Sequence, residues 1–587
     1  MSEGGLPRSG ETLEVHAHQA QVDEPRTLSG LIERARRSWP GTEALVFGDE
    51  RLTFEQFADQ TTTIARALHA LGVRRGDKVG VLMQNGVAYL TILYGALRLG
   101  ATAVPVNARF KAHELAYVLP HADLKVLFTS RSEHSPIDYC DLIRQTFPEL
   151  TNADRSRLSP ASAPTLSLPT LSLAPAPTLS HIVVVDGQAQ EPMLDWSSFI
   201  AAAESVEAEQ VQLAERFTRP SEAAMMLYTS GTTSTPKGCL LSHRAMLATG
   251  LTFGAERFPM RHGDRMWNPL PLFHLATLLP FNGCLAVGAT FVGMRHFDVE
   301  ESLRLLESER CTSAFAAFEP IWLAIVRSGG LRQQRHSRLR LVNVNGHPER
   351  LREMQGETPW ITLISPYGCT EGGGVLALSH PQEPLEQRVS TAGRPFSGMQ
   401  VMITHPESGQ PLPPCQRGEI VLRGEGMFDG YYKDEQGTRE AVDAEGWFHT
   451  GDLGMLDDEG RVSFLGRIKD MLKVGGENVA AAEIEEFLGS HPAIAQVQVV
   501  AAPDLHYAEV PCAFVELRQG AELTIDELIE FCRGRIATYK IPRHLRIVRE
   551  WPMSGTKIQK FRLREQIAEQ LRREGVLEAR RITSKPT

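Results

Sequence analysis

The sequence predicts an α/β protein of two units, a large N-terminal unit of several sheets and helices and a small α+β unit at the C-terminus. Three observations carry this expectation. The first third alternates segments of helical and strand period, the pattern of a sheet covered by helices. Near residues 466–470 a stretch rich in charge and glycine, "FLGRIKDMLKVGGENV", interrupts the pattern. Beyond it about 110 residues make a compact helix and strand set of domain size. The units are placed at 23–466 and 467–575, flanked by tails at 1–22 and 576–587.

The start, "MSEGGLPRSGETLEVHAHQ", has neither a basic n-region nor an apolar h-region and reads as a mobile tail rather than a secretory signal. Thr53 and Gln56 form a capping box before "FEQFADQTTTIARALHAL", and Gly72 closes that helix. "KVGVLM" follows as a strand and "GVAYLTILYGALRLG" as a helix. Residues 151–180 read as an insertion; within it "ASAPTLSLPTLSLAPAPTLS" repeats P-T-L-S three times. Proline at that density removes ladder donors and breaks helices, so an extended surface segment is expected. The apolar run "AAMML" at 223–227 predicts a buried strand leading into a loop at a sheet edge. The window 275–294 is apolar but contains Pro280 and Asn282, and reads as a buried helix and strand rather than a membrane span. In the small unit, "AAEIEEFLGS", "AIAQVQVVA", "CAFVELR", the Thr524-capped "IDELIEFCRGRI" and "HLRIVREW" supply helices and strands.

Hydrophobic residues make up 42% and charged residues 22%, ordinary for a soluble protein, and the formal charge of -10 argues against a nucleic-acid partner. The eight cysteines are scattered without a C-x-x-C, so neither a disulfide framework nor a zinc site is indicated. A cytoplasmic enzyme acting on small molecules fits these bounds; a homodimer is left open.

The loop after "AAMML" reads "YTSGTTSTPKG" at 228–238, with seven hydroxyl-bearing side chains, two glycines and one lysine. Hydroxyls, exposed backbone amides and a cation suit a polyphosphate. It is not a Walker A loop: counted from Gly231, Pro236 stands where the second glycine belongs, and Gly238 follows Lys237 where Ser or Thr is required. Other motifs are weak singly. "SPYGCTEGGG" at 365–374 places Tyr367, Thr370 and Glu371 at the end of a strand, or is a plain turn. "GWFHTGDLG" offers Asp452 as an exposed carboxylate for the two hydroxyls of a ribose, or is an Asx turn. "FLGRIKDMLKVGGENVAAAEIE" sets Arg467 and a glycine pair at the unit boundary.

The order "YTSGTTSTPKG", "PLFH", "YGCTEGGG", "GWFHTGD", "GRIKDMLKVGGENV", "PMSGTKIQKFRLR" resembles the ordered signature of the adenylate-forming superfamily: acyl-CoA synthetases, peptide-synthetase adenylation domains and luciferases. The resemblance covers roughly residues 28 to 573. It implies an adenylation domain with a small mobile lid, and an ATP-dependent acid:CoA ligase working through an acyl-adenylate. Thr229, Ser230, Gly231, Thr232, Thr233 and Lys237 would grip the β- and γ-phosphates, with Lys237 a mobile cation. Glu371 would hold Mg²⁺, Thr370 the α-phosphate, Tyr367 the adenine and Asp452 the ribose, with Arg467 assisting. Lys557 would stabilise charge in the transition state. Lys469 would be the hinge about which the lid rotates, and Gly475 and Gly476 would line the thiol tunnel. Lys540 or Arg543 is expected near the CoA phosphates; the alternative is a solvated basic turn.

Three departures from the pattern stand out. Ser234 replaces a usual glycine, the adenine loop reads Gly346-His347-Pro348, and "SGTK" shifts the glycine before Lys557 by one place. By position, Phe273, His274, Phe315, Phe318, Gly346, His347 and Gly373 would wall the acyl pocket, and the "GGG" glycines would leave room for a long or bulky acid. Glu319 would meet a polar group on the substrate or cap a helix. The expected substrate is a medium- or long-chain fatty acid, or a bulky aromatic, alicyclic or steroidal acid. The alternatives are a ligase loading a carrier protein and a weakly catalytic acyl-adenylate sensor.

Overall fold

The computed structural model describes residues 25–131, 137–150, 170–229, 236–333, 338–346, 348–474, 477–554, 557–576, 578–580 and 582. Two large sheets organise the N-terminal unit. In one, strands Thr102–Pro105, Lys78–Leu82, Leu124–Thr129, His181–Val184 and Leu194–Asp195 run parallel, and Ala223–Thr229 joins them beside Thr102–Pro105. The second sheet has the order Thr362–Ile364, Leu341–Asn345, Ser313–Phe318, Arg265–Asn268, Thr290–Gly293, Glu43–Phe47, Glu50–Thr53, parallel except at its last pair.

Between them lie helices whose sequences demand burial. Val87–Arg98 is buried at every position but Ala88, and Leu275–Val287 is apolar on nearly every face despite Pro280. One hydrophobic cluster takes residues from both sheets and these helices, so the sheets share a core. The expected capping box is present: Thr53 Oγ1 accepts from the Gln56 amide (3.2 Å) and Gln56 Oε1 from the Thr53 amide (2.9 Å). The helix Phe54–Ala70 ends before Gly72, whose φ of +81° only glycine adopts without strain.

A four-stranded antiparallel sheet (Met399–Thr404, Gly418–Gly424, Phe448–Leu456, Val462–Arg467) and a smaller one (Pro366–Cys369, Gly374–Leu378, Arg394–Pro395) complete this unit. The turn Ile468–Asp470 leads from Val462–Arg467 into Met471–Val474, the first strand of a five-stranded sheet. Among the described residues, the hydrophobic clusters of that sheet and its helices use only those from 472 onward. Polar contacts to the large unit include Arg350 donating to the Ala495 carbonyl (3.2 Å) and Arg417 beside Glu483 (3.6 Å).

Three expectations need correction. The described part of the P-T-L-S segment is not merely surface: Leu171, Leu173, Ala176 and Leu179 are buried in a cluster with Leu124, Leu127 and Ile182. The repeat prolines exclude ladder bonding, while the leucines between them still gain from leaving water. Residues 578–580, taken as tail, lie on the small unit; the Ala579 amide donates to Asp504 (2.6 Å). The solvated basic turn offered as the alternative for Arg543 is not what is found, for Arg543 is 5% exposed and donates to the Arg580 carbonyl (2.6 Å). Lys540 is held by Glu483 (2.5 Å).

Candidate active site

The strand Ala223–Thr229 and its antiparallel return Lys237–Ser242 place Thr229 opposite Lys237, so both stems of the hydroxyl-rich loop are fixed by ladder bonds. Ser230, Gly231, Thr232, Thr233 and Ser234 lie outside the described residues. Lys237 opens the return strand, and its ammonium sits 3.2 Å from Asp434 and 4.7 Å from the centre of the Tyr431 ring. The short strand Gly430–Tyr431 pairs with this same strand, Tyr431 facing Cys239. The Asp434 carboxyl is held below its usual range by the Gly437 amide and, against partial burial, by Lys237.

Glu371 follows the strand Pro366–Cys369, as the sequence suggested. Its Oε1 accepts from the Tyr431 hydroxyl (2.9 Å) and its carbonyl from the Phe428 amide (2.8 Å). Burial and the Glu371 charge keep the Tyr431 hydroxyl protonated, hence a donor.

Four residues before Glu371, Tyr367 points elsewhere. Its hydroxyl donates to Asp452 Oδ2 (2.8 Å), and its ring stacks on the half-exposed Phe464 at 5.9 Å. Asp452 sits directly across the ladder from Arg467, whose Nε is 2.7 Å from Oδ1. The expectation of an exposed Asp452 was therefore incorrect: it is 3% exposed, inside the strand Phe448–Leu456. Its glycine neighbours suggested a turn because sequence does not reveal which strand covers it.

At the expected acyl end, His274 is the N-cap residue of the helix Leu275–Val287 and its ring lies 4.5 Å from that of Phe273. Phe315 is fully buried against Phe253 (5.6 Å), while Phe318 is partly exposed at the strand end. Between them Ala317 has φ +55° and marks a break in register, a left-handed alanine that costs about 1–2 kcal/mol and re-aims Phe318. Glu319 is the first residue of the helix Glu319–Arg327 rather than its cap, and lies 3.7 Å from Arg350. A Cβ on Gly346 would stand 2.9 Å from Glu319 Oε2, so only glycine sits there without displacing the acid.

The "GGG" expectation also needs correction. A Cβ on Gly373 would lie 2.5 Å from the Gly426 carbonyl oxygen, and one on Gly372 would lie 2.8 Å from Leu376. At Gly372 and Gly373 the expected room is taken by close neighbours, whereas a Cβ on Gly374 would make only ordinary contacts, the nearest at 3.5 Å.

Residues 32–432 match the family model described as AMP-binding enzyme, and residues 483–557 that of the AMP-binding enzyme C-terminal domain. The chain belongs to the AMP-binding enzyme family. The adenylate-forming superfamily expected from the motif order is thus its family. The Bacillus subtilis protein YngI is 31% identical over 550 residues, spanning 92% of this chain and 97% of its own. The human protein named medium-chain acyl-CoA ligase ACSF2, mitochondrial, is 30% identical over 560 residues, 93% of this chain and 88% of its own. Among solved structures, the anthranilate CoA ligase AuaEII in complex with anthranoyl-AMP aligns with a TM-score of 0.79 at 25% identity, covering 93% of this chain and 98% of its own. The Mycobacterium tuberculosis fatty acyl CoA synthetase aligns at 0.66 and 26%, covering 93% and 99%.

In this AMP-binding enzyme, the sequence-expected residues form two contact groups, Lys237 with Glu371 through Tyr431 and Tyr367 with Asp452 and Arg467, joined by the backbone between Tyr367 and Glu371. His347, Gly475, Gly476 and the Lys557 side chain lie outside the described residues; the Lys557 backbone forms a hairpin with Ser554. The carbonyl of Lys469, in the turn between units, accepts from Arg564 (3.3 Å). Among the described residues no helix is long and apolar enough to cross a membrane, and all eight cysteines are free.

Sequence reading missed Tyr431, Asp434, Glu419 and His449. "FDGYYKDEQGT" carries no recognisable composition, and only strand pairing brings it to Lys237. His449 stood in a quoted motif without a role. Glu419 accepts from the Gly451 amide (3.0 Å), just before Asp452, and lies 2.9 Å from His449 Nδ1, while Asp443 lies 3.5 Å from Nε2. Burial pushes the imidazole pKa down, but these two carboxylates outweigh it and hold it above its usual value. A raised folded pKa means the ion pair is complete below the ordinary histidine pKa and is lost as pH rises through the folded value. ATP binding is therefore expected to weaken as pH rises through that range, and His449→Gln to flatten this dependence. Parallel titration profiles for the two proteins would remove His449 from the site.

Proposed function

We propose that this protein is an ATP-dependent acid:CoA ligase whose substrate is a fatty acid of medium chain length. One observation carries the reading: Tyr367 and Glu371, four residues apart on one strand and turn, connect a site suited to a nucleoside with a site suited to phosphates. The relatives named for medium-chain acyl-CoA ligase and fatty acyl CoA synthetase support the substrate class. The room expected at the "GGG" glycines served a long and a bulky acid alike, so the close packing of Gly372 and Gly373 does not separate the two classes.

The reaction joins the acid carboxylate to the α-phosphate of ATP, releasing pyrophosphate. The thiol of CoA then attacks the acyl carbon and AMP leaves. Asp452, ordered by Tyr367 and Arg467, would receive the ribose hydroxyls, and Thr370 would bond the α-phosphate. Lys237 would exchange Asp434 for phosphate oxygens, which is feasible because that pair is partly exposed and so weakly bound. Among the described residues no cluster of three or more acidic, histidine or cysteine side chains could hold an ion alone. A single carboxylate, Glu371, fits Mg²⁺, which is commonly held by one or two carboxylates together with substrate phosphates. When bound, the ion would neutralise phosphate charge.

Pyrophosphate release should be measured over fatty, aromatic, alicyclic and steroid acids, each with and without CoA. Release with medium-chain acids that CoA accelerates is the expected result. A preference for another acid class overturns the substrate assignment. Release indifferent to CoA indicates a carrier-protein acceptor, and ATP binding without release from any acid indicates a sensor.

A further inference from the structure

We propose that Tyr431 is a positioning residue that keeps the phosphate-loop lysine and the Mg²⁺-holding carboxylate apart and available; this rests on the ligase reading and deepens it. Lys237 and Glu371 carry opposite charges in one partly buried site. Left in contact they would form an ion pair that draws the carboxylate away from a metal ion and the lysine away from Asp434, the partner it can exchange for phosphate. Tyr431 lies between them in function: its ring face meets the Lys237 ammonium at 4.7 Å and its hydroxyl donates to Glu371 at 2.9 Å. The ring contact is weak enough to yield the lysine to a phosphate, while the hydroxyl bond fixes the direction of the carboxylate and leaves the rest of it to a metal ion.

The tyrosine is itself held on several sides. Its amide donates to Thr438 Oγ1 (2.9 Å), its backbone pairs opposite Cys239, and Phe428 packs edge-on against the ring at 4.9 Å. The Phe428 amide also holds the Glu371 carbonyl, so the same short segment orders the carboxylate through backbone and side chain. On the far side of Lys237, a Cβ on Gly437 would lie 2.6 Å from the ammonium and 2.2 Å from an Asp434 oxygen. The lysine therefore fits closely between Tyr431, Asp434 and Gly437.

Calorimetric titration with ATP, in the absence of metal and over a series of Mg²⁺ concentrations, tests this on the full-length wild type, Tyr431→Phe and Tyr431→Leu. Tyr431→Phe keeps the ring and is expected to bind metal-free ATP as the wild type does. Its Mg²⁺-dependent gain in ATP affinity should fall about tenfold or more, the usual cost of losing a partner behind a metal ligand. Tyr431→Leu should in addition weaken metal-free ATP binding severalfold, through loss of the ring beneath Lys237. Wild-type Mg²⁺ dependence in Tyr431→Phe would overturn the proposal, and it decides alone if thermal melting shows that Tyr431→Leu is unfolded. Equal behaviour of two folded variants would overturn the lysine half. ATP binding by the wild type without acid-dependent pyrophosphate release would defeat the ligase reading only, and no ATP binding at all would defeat both.

Discussion

Lys557→Ala should lower acid-dependent pyrophosphate release about a hundred- to a thousandfold, the scale of removing one preorganised donor from a transition state. Thioester formation from supplied acyl-adenylate and CoA should remain near the wild-type rate. The asymmetry has a structural basis in where the lysine is carried. The backbone at 557 pairs with Ser554, and the Gln559 amide closes the hairpin on the Pro552 carbonyl (2.7 Å). The helix Lys560–Glu574 follows at once and packs Leu563, Ile567 and Leu571 into a cluster with Val500, Val510 and Phe514. This lysine therefore travels with the small unit, whose covalent link to the large one is the turn around Lys469. If the unit rotates between the two half-reactions, the residue serves the first and is withdrawn for the second. Equal loss in both half-reactions would show that it does not move between them.

Arg98→Ala should destabilise the protein by about 3–5 kcal/mol, the range for removing one partner of a buried charge cluster. Its guanidinium is 2% exposed and binds Glu215 (2.5 Å), Glu33 (2.8 Å), Thr61 Oγ1 (2.8 Å) and the Ala58 carbonyl (3.3 Å). These partners lie on three helices that meet the end of Val87–Arg98, so one side chain joins four helices. Burial raises the Glu215 pKa, Arg98 pulls it down, and Glu33 raises it again. Without Arg98 it must rise further. A carboxyl whose folded pKa exceeds its unfolded one takes up a proton on folding, so its contribution worsens as pH rises through the folded value. The deficit of Arg98→Ala should thus be largest at neutral pH and shrink on acidification, as measured by urea unfolding at neutral and mildly acid pH. Arg98→Met, which keeps the stem but leaves both acids unpaired, should behave alike. A deficit independent of pH, or a stable methionine variant, would assign the loss to packing instead.

Local elements were readable where a few adjacent residues decide them. The capping box at Thr53 and the cap at Thr524 appear as the sequence implies, because each is decided by residues within one helical turn; the box that Glu527 completes at Thr524 is added by the structure. The P-T-L-S segment was misread because its prolines are informative about backbone bonding and silent about where its leucines go. Leu171 and Leu179 occupy equivalent places in two repeats and both are buried, a fact set by the neighbouring strands. Composition likewise suggested space at Gly373, whereas the backbone of Gly426 fills it.

By itself the sequence determined the α/β class and the order of motifs that identifies the family. Those depend on period, punctuation and residue type along the chain. Only the tertiary structure decided that Asp452 is buried between Tyr367 and Arg467, and that Tyr431 touches both Lys237 and Glu371. The reason is physical: charge and hydrogen-bond partners act over a few ångströms of space, and strand pairing brings together segments that the sequence keeps far apart.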